Sequence, residues 1–263
     1  MRLAGFDQIV VMGRAATPVY LMLEKGKAII KEAKQLWGMT VSKVDAYLRK
    51  WEGENISTAI IGPAGERGVM SSCILFDVGR AAGRCGLGAV MGSKNLKAIV
   101  VKGKGQLEVA DKTRFSQIIQ ITLQKIEKSK VLQQVRRYGT INSAPYWVEP
   151  VCNFQQGIIP KEAYRVQYKF FLPYQVNSYT CPDCPVKCGR EYCIKEGRFA
   201  GRGSTALHAN SITDFGTRLG IYDPQAIIVA YDLCNEYGLD IDNASGVIAW
   251  SMEAFQRGIL TTL

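Results

Sequence analysis

The sequence predicts an α+β fold in two parts, a mixed β-sheet and helix domain over residues 1–110 and a mainly α-helical domain over residues 111–263. Three observations support this prediction. Short apolar runs alternate with helical patterns up to Gly105, whereas longer segments with helical spacing follow it. The length of 263 residues allows one large domain or two ordinary ones. A composition of 47% hydrophobic and 21% charged residues is that of a globular protein.

The first part is predicted to contain short strands and one clear helix. Val44, Tyr47 and Leu48 give residues 41–51 one apolar helical face. Residues 62–65, Gly-Pro-Ala-Gly, form a turn. Residues 70–76 suit either a strand or a helix. Apolar runs predict strands at residues 9–12, 19–23, 28–30, 58–61 and 98–101, and residues 24–27 turn the second strand into the third.

The second part is predicted to consist of helices separated by a loop-rich stretch. Residues 112–138 place apolar side chains on roughly one face of a long helix that ends at Gly139. Four prolines between residues 145 and 173 indicate loops. Asp223 and Pro224 form an N-cap and first turn for a helix that runs to Tyr237. A further helix is predicted at residues 245–257.

The charge and the termini limit the classes of protein to consider. The net charge is +10, with 33 Lys and Arg against 23 Asp and Glu, which suits an anionic cofactor, an acidic partner or nucleic acid. The densest cations, at residues 125–137, read as a solvated helix face, and no nucleic-acid motif accompanies them. No apolar run is long enough to span a membrane, and no signal sequence is evident, so a cytoplasmic protein is expected.

A glycine-rich run at residues 79–97 is the first candidate for a binding site. It holds five glycines between Gly79 and Gly92, together with several cations. Bare amides and nearby cations bind anions, so the run suits a large anionic cofactor, although a purely structural turn is equally compatible. Its glycine spacing matches neither a P-loop nor a dinucleotide-binding fingerprint, and the run leads into a predicted strand.

A cysteine cluster is the second candidate. Cys181, Cys184 and Cys188 follow the pattern C-x2-C-x3-C, which can direct three thiolates at one metal centre. A zinc loop would normally show a second cysteine pair or a histidine pair, and the chain has a single histidine, so a [4Fe–4S] cluster with a distant fourth ligand fits better. Cys193, Cys152, Cys234, Cys73 and Cys85 are more typical of buried apolar residues than of ligands.

The glycine run and the cysteines together resemble the aldehyde:ferredoxin oxidoreductase family of tungsten enzymes. The resemblance extends over nearly the whole chain, and its landmarks occur in family order at residues 5–7, 62–66, 83–97, 153–155, 181–188 and 234–240. It implies a bis-pterin tungsten cofactor (in some members molybdenum) beside a [4Fe–4S] cluster. It also implies oxidation of an aldehyde to a carboxylate, with electrons passing through the cluster to ferredoxin or another electron-transfer protein.

The resemblance also implies roles for individual residues. Cys181, Cys184 and Cys188 would bind the cluster, with the fourth ligand outside this chain. Asn235 stands where the family's pterin motif usually has an acid, and its amide can still bond a pterin ring. The residues expected to bind the pterin cofactor are Ala82, Arg84, Gly86, Gly88, Asn235, Gly238, Leu239 and Asp240.

Two departures from the family pattern qualify these expectations. Residues 201–208 lack the carboxylate that aldehyde-oxidising members carry after the cysteines, so His208 is the candidate for proton transfer, with a packed or helix-capping role as the alternative. The same departure leaves open a benzoyl-coenzyme A reductase type of tungsten subunit, with an aromatic acyl-CoA substrate instead of a small aldehyde.

The second departure is length, since family catalytic subunits are roughly twice as long as this chain. We therefore expect a fragment or one piece of a split enzyme that is inactive in isolation, within a homodimer or a multi-subunit complex. A non-catalytic iron–sulfur or zinc binding module is the remaining alternative.

Overall fold

The computed structural model describes residues 1–77, 79–146, 151–158 and 160–262. The chain divides into two compact units, and the first comprises Met1–Glu108 together with Leu233–Asn243. The second comprises Val109–Asp232 and Ala244–Leu263. The domain boundary near residue 110 stays a prediction, since the units place an eleven-residue segment from late in the sequence with the N-terminal residues. In the described residues no helix is both long and apolar enough to cross a membrane.

The first unit is built on a six-stranded mixed sheet in the order β2-β1-β6-β3-β4-β5. β1 pairs antiparallel with β2 and parallel with β6, whereas β3 pairs antiparallel with both β6 and β4. The strands are β1 (Val19–Glu24), β2 (Lys27–Glu32), β3 (Ser57–Ile61), β4 (Ile74–Phe76), β5 (Arg80–Ala82) and β6 (Leu96–Lys102), and the helices are α1 (Val41–Glu52), α2 (Pro63–Glu66) and α3 (Leu87–Ser93).

The core of this unit lies between the sheet and α1. Val44 and Leu48 of α1 are fully buried against Ile60 and Val100 of the sheet. The helical period brings the two α1 side chains to one face, as the sequence predicts. The predicted turn between β1 and β2 is confirmed, since Lys25 and Gly26 have φ values of 48° and 72°. The α+β architecture of the prediction is confirmed.

One local prediction for the first unit is wrong. Residues 9–12 form no strand, because they have no strand partner and Val10 and Met12 remain exposed. The glycine run at residues 79–97 contains β5, a turn and α3 before it reaches β6. The ambiguous residues 70–76 end in β4, and the predicted turn at 62–65 leads into the short helix α2.

The second unit is richer in helices but also contains a small sheet. Its three antiparallel strands lie in the order β7-β8-β9. Between the helices, much of residues 140–174 forms short 3-10 helices. The helices are α4 (Lys112–Lys128), α5 (Lys130–Tyr138), α6 (Ala209–Ile212), α7 (Pro224–Tyr237) and α8 (Ile241–Gln256), and the strands are β7 (Gln175–Tyr179), β8 (Gly189–Cys193) and β9 (Gly203–Thr205). Residues 233–237 of α7 and 241–243 of α8 belong to the first unit.

The sequence prediction misses two features here. The prediction of a single long helix over residues 112–138 is wrong. Ser129 ends α4 in an extended conformation, and its hydroxyl caps α5 by accepting from the amide of Leu132. The three-stranded sheet is also missed, since its strands are short and β7 is mostly polar. The predicted start of α7 is confirmed, with the Asp223 carboxylate accepting from the amide of Gln225 at 2.9 Å.

Candidate functional site

The turn after β5 is the centre of the candidate cofactor site in the first unit. Arg84, Cys85 and Gly86 all have left-handed backbone conformations, with φ values of 58°, 54° and 68°. Such a conformation costs an ordinary residue about 1 kcal/mol, so two neighbouring non-glycine residues in it make a strained turn. Arg84 and Cys85 are exposed, and Gly86 leads directly into α3. Strain of this kind is typical of ligand-binding positions.

The glycines of the run are required by close packing of the chain on itself. A Cβ atom on Gly86 would lie 2.7 Å from the carbonyl oxygen of Met70, and one on Gly88 would lie 2.7 Å from that of Cys73. A Cβ on Gly92 would overlap the carbonyl of Gly65. Gly86 and Gly88 are accordingly buried by protein backbone. Close packing therefore explains these glycines whether or not they also contact a cofactor.

Two motifs far apart in sequence meet at this turn. The Asp240 carboxylate accepts a hydrogen bond from the backbone amide of Arg84 at 3.0 Å. The Arg84 guanidinium pairs with Asp242 at 2.8 Å. Gly83 leaves room for the Asp240 carboxylate, since a Cβ there would overlap it. Two of the predicted cofactor residues, Arg84 and Asp240, are thus in direct contact.

Backbone pairing fixes the later motif in place. The amide of Cys73 donates to the carbonyl of Gly238 at 2.9 Å, and the amide of Asp240 donates to that of Ser71 at 2.8 Å. Leu239 forms an isolated β-bridge with Ser72. Ala82 is the last residue of β5, and Asn235 lies half-buried in the last turn of α7. All eight predicted pterin-binding residues therefore belong to the first unit.

Two buried thiols lie close to this motif. Burial, with the negative charge of Asp240 as a smaller cause, raises the pKa of Cys73 and of Cys234 to about 12. A thiol with so high a pKa stays protonated near neutral pH and is a poor metal ligand. Both residues fit the interpretation as small apolar core residues.

A buried ion pair supports the same region. Lys97 of β6 is fully buried, and its ammonium group pairs with the carboxylate of Glu66 at the end of α2. The ammonium also donates to the carbonyl of Met39 at 3.0 Å, while Glu66 accepts from the amide of Gly38 at 2.8 Å. Desolvation lowers the pKa of Lys97, and the bond to Glu66 opposes this shift. Sequence patterns alone do not indicate this ion pair.

The predicted cluster cysteines lie in the loop between β7 and β8 of the second unit. Cys181, Cys184 and Cys188 are all half-buried and none is in a disulfide. The amide of Cys184 donates to the carbonyl of Cys181 at 3.0 Å, and the Thr180 hydroxyl donates to that of Cys184 at 2.6 Å. The first two cysteines therefore belong to one tight turn.

Arg190 braces this loop and was missed by sequence reasoning. Its side chain is buried, and its guanidinium donates to the carbonyls of Lys187 at 2.9 Å and Gly189 at 2.7 Å. It also donates to the carbonyl of Arg136 in α5. The Arg136 side chain in turn donates to the carbonyl of Pro185 at 3.1 Å. The position of Arg190 two residues after Cys188 is the only feature of the sequence that indicates a role beside the cysteines.

The chemistry of the three thiols fits an iron–sulfur cluster, although the ligands are not preassembled. Within the described ranges, no three His, Cys, Asp or Glu side chains are arranged to hold a metal ion. Metal sites commonly form only as the ligands bind, because the metal stabilises the assembled state. The set Cys181, Cys184 and Cys188 thus remains a prediction.

His208 occupies the N-cap position of α6. Its Nδ1 lies 3.4 Å from the hydroxyl of Ser211, and its ring meets that of Tyr231 edge to face at 5.6 Å between centroids. The ring is half-buried. These contacts account for a packed histidine, and proton transfer by His208 stays a prediction.

A second strained turn lies at residues 152–154 and overlaps the predicted landmark at residues 153–155. Cys152, Asn153 and Phe154 all have positive φ, at 46°, 52° and 65°. The Asn153 amide donates to Glu253 at 2.6 Å, which lowers the pKa of that carboxyl. Phe154 is exposed. Three successive left-handed non-glycine residues mark this turn as a candidate ligand contact.

Comparison with known proteins gives consistent matches over both parts of the chain. The family model "Aldehyde ferredoxin oxidoreductase, N-terminal domain" matches residues 1–103, and the model for "domains 2 & 3" matches residues 117–263. The chain is 38% identical over 267 residues to the tungsten-containing aldehyde ferredoxin oxidoreductase of Pyrococcus furiosus. That match covers 98% of this chain and 43% of the relative, so the chain spans less than half of the relative's length.

Two further proteins show how varied the relatives are. An aliphatic sulfonate oxidoreductase, WOR-like subunit, from P. furiosus is 32% identical over 282 residues, covering 99% of this chain and 44% of the relative. A solved structure, the active site complex BamBC of benzoyl coenzyme A reductase with 1,5-dienoyl-CoA, matches with a TM-score of 0.79 at 24% identity. The match covers 98% of this chain and 41% of the matched chain of that structure. At 24% identity it establishes a shared fold alone.

Proposed function

Because this chain belongs to the aldehyde ferredoxin oxidoreductase family, we propose that it forms the pterin-binding and cluster-binding part of a tungsten enzyme that oxidises an aldehyde to a carboxylate. The observation that carries the proposal is the bond between Arg84 and Asp240, which joins two predicted pterin motifs separated by 156 residues. When bound, the tungsten pterin and the [4Fe–4S] cluster supply the oxidation R–CHO + H2O → R–COO⁻ + 3 H⁺ + 2 e⁻ and single-electron transfer.

The residues of the first unit fit an anionic pterin. The exposed Arg84 guanidinium offers positive charge and planar donors for a phosphate. The Asp240 carboxylate is buried with its oxygens accepting from the amides of Arg84 and Asn243, so it is held in one orientation as an acceptor for ring N–H groups. Asn235 adds an amide that can donate and accept.

In the second unit, Cys181, Cys184 and Cys188 would hold the cluster, and Arg190 would keep their loop in position. We further propose His208 as the group that exchanges protons with the substrate region, since imidazole titrates near neutral pH. Ferredoxin is the proposed electron acceptor, in keeping with the names of the relatives. A multi-subunit assembly is also proposed, since one relative is named as a subunit and the solved structure is a complex, with a homodimer as the alternative.

Metal analysis and substrate assays test the proposal. The holoenzyme that contains this chain should hold tungsten or molybdenum with about four irons per cluster, and zinc alone would contradict it. Aldehyde-dependent viologen reduction is expected. Reduction of benzoyl-CoA instead would favour the second candidate, which rests on the shared fold with the benzoyl coenzyme A reductase complex and on the missing carboxylate at residues 201–208.

Variants of the two proposed functional residues make the test specific. Asp240→Ala should lower the tungsten content, because it removes an acceptor from the predicted pterin site, and iron content should remain. His208→Gln should retain both metals and lower kcat, with a changed pH profile. A full metal load in Asp240→Ala and unchanged kinetics in His208→Gln would contradict these roles.

A further inference from the structure

The helices α4 and α5 carry a dense positive charge. Residues 112–138 contain seven lysines and arginines against one acid, Glu127. Every one of these cations is exposed. Such a surface attracts acidic proteins and accelerates their association. The cations are Lys112, Arg114, Lys125, Lys128, Lys130, Arg136 and Arg137.

No residue of either helix is buried, so both lie on the surface of the second unit. Val131, next to Lys130 in sequence, is 71% exposed. Lys130 and Arg137 are seven residues apart and therefore share one face of α5. A helix that exposes an apolar side chain as well as cations suits a protein partner better than a nucleic acid, which would use the charge alone.

The C-terminal end of α5 is bonded to the cysteine loop. The Arg136 side chain donates to the carbonyl of Pro185, between Cys184 and Cys188, and Arg190 links the loop back to α5. Lys187 in the same loop is exposed and adds to the charge. A protein docked on the C-terminal end of α5 and on Lys187 would therefore lie beside the three cysteines.

We propose that a basic docking surface, formed by Lys130, Arg137 and Lys187, binds a soluble acidic ferredoxin. This inference rests on the proposed function, since it assumes that Cys181, Cys184 and Cys188 hold the cluster that delivers electrons. Two oxidised ferredoxins each accept one electron for every aldehyde oxidised, which balances the two electrons released. Charge complementarity guides the encounter, and Arg136 and Arg190 keep the loop next to the docked partner.

The test uses the holoenzyme with two acceptors, an acidic ferredoxin and the small dye methyl viologen. The double variant Lys130→Glu and Arg137→Glu should raise the KM for ferredoxin by about tenfold or more, because like charges then oppose docking. Viologen reduction should be unchanged, since a small dye needs no docking surface. Lys187→Glu alone should give a smaller rise in KM. The matched control, Lys112→Glu with Arg114→Glu at the far end of α4, should leave both rates unchanged.

Direct binding of ferredoxin, measured by calorimetry without turnover, separates the two proposals. A wild-type enzyme that binds ferredoxin through these residues but oxidises no aldehyde would contradict the proposed function alone. Unchanged ferredoxin KM and binding in the double variant would overturn the docking surface. An equal rise in the ferredoxin KM of the control variant would also overturn it. So would DNA binding by the wild-type enzyme that the double variant loses and the control variant keeps. Should charge reversal prevent folding, the neutral Lys130→Gln and Arg137→Gln pair should still raise the ferredoxin KM.

Discussion

At the scale of single residues, each unit contains a cationic side chain that is buried and bonded inside the protein instead of lying in solvent. Arg190 satisfies three carbonyls around the cysteine loop, and Lys97 is paired with Glu66 beneath the glycine run. Burying a charge costs much free energy unless hydrogen bonds or an ion pair compensate it. These residues are therefore positioning residues. Removing either side chain should lower the free energy of unfolding by more than removing an exposed cation.

Replacing Arg190 with Met should loosen the cysteine loop. Its three carbonyl partners would lose a charged donor, at a cost of about 3 kcal/mol in the free energy of unfolding. The iron content of the holoenzyme should fall with the stability. The control Arg202→Met breaks an exposed pair with Asp232 and should cost under about 0.5 kcal/mol. Equal effects of the two changes in denaturant titrations would rule out the bracing role.

Replacing Glu66 with Gln should strand the ammonium of Lys97 in the core. The expected loss is about 3–5 kcal/mol in the free energy of unfolding, as for other broken buried pairs. The double variant Glu66→Gln with Lys97→Met should recover part of that loss, because no buried charge then remains. Glu32→Gln, which removes a partner from an exposed pair with Lys34, serves as the control and should change little. A double variant no more stable than Glu66→Gln would disagree with this account.

At the scale of elements, α2 and α3 pack through glycine rather than through side chains. The helices approach so closely that Gly65 and Gly92 leave no space for a methyl group. The sequence shows that glycines are frequent here, but it does not show which atoms they contact. The spacing of glycines predicts neither their packing partners nor their burial. It predicts α1 and α7 well, where apolar period and capping act locally, and it misses β7–β9, whose short polar strands are stabilised by pairing with each other.

Replacing Gly92 with Ala tests this helix packing. The added methyl would press on the carbonyl of Gly65, and overpacking of this kind costs about 1–3 kcal/mol. Gly246→Ala in α8 is the matched control, since nothing lies within 4 Å of the new methyl. That change should stabilise the protein by about 0.5–1 kcal/mol through helix propensity. Thermal melts of the two variants should therefore shift in opposite directions, and a shared direction would refute the explanation.

At the scale of the whole molecule, the candidate pterin site is assembled from two segments that lie far apart in the sequence, residues 71–88 and 233–243. Leu233–Asn243 belongs to the first unit, where it bonds Ser71, Cys73 and Arg84. Family landmarks predict both parts of this site from the sequence. Their direct contact does not follow from the motifs, because local patterns carry no information about long-range pairing. The same limit explains why the bonds of Arg190 and the backbone strain at residues 152–154 do not follow from the sequence.

A chain cut after residue 110 should show the importance of the later segment. It would lack the partners of Ser71 and Cys73, so the thiol of Cys73 should become accessible to alkylating reagents at neutral pH. In the full chain that thiol is buried, with its pKa raised to about 12, and should react far more slowly than the exposed Cys85. Mass spectrometry of labelled peptides gives the measurement. Equal protection of Cys73 in both forms would show that the later segment is dispensable.

The pairing of Cys73 with Gly238 also sets an order of events during protein synthesis. Chains generally fold from the N-terminus as they emerge from the ribosome, and contacts between distant residues form late. The sheet of the first unit is complete by residue 102, but the bonds to Gly238 and Asp240 must wait until more than a hundred further residues have been translated. In the interval the glycine turn remains open on one side. A complete site for a large cofactor at this turn would therefore exist only after residues 233–243 have been translated.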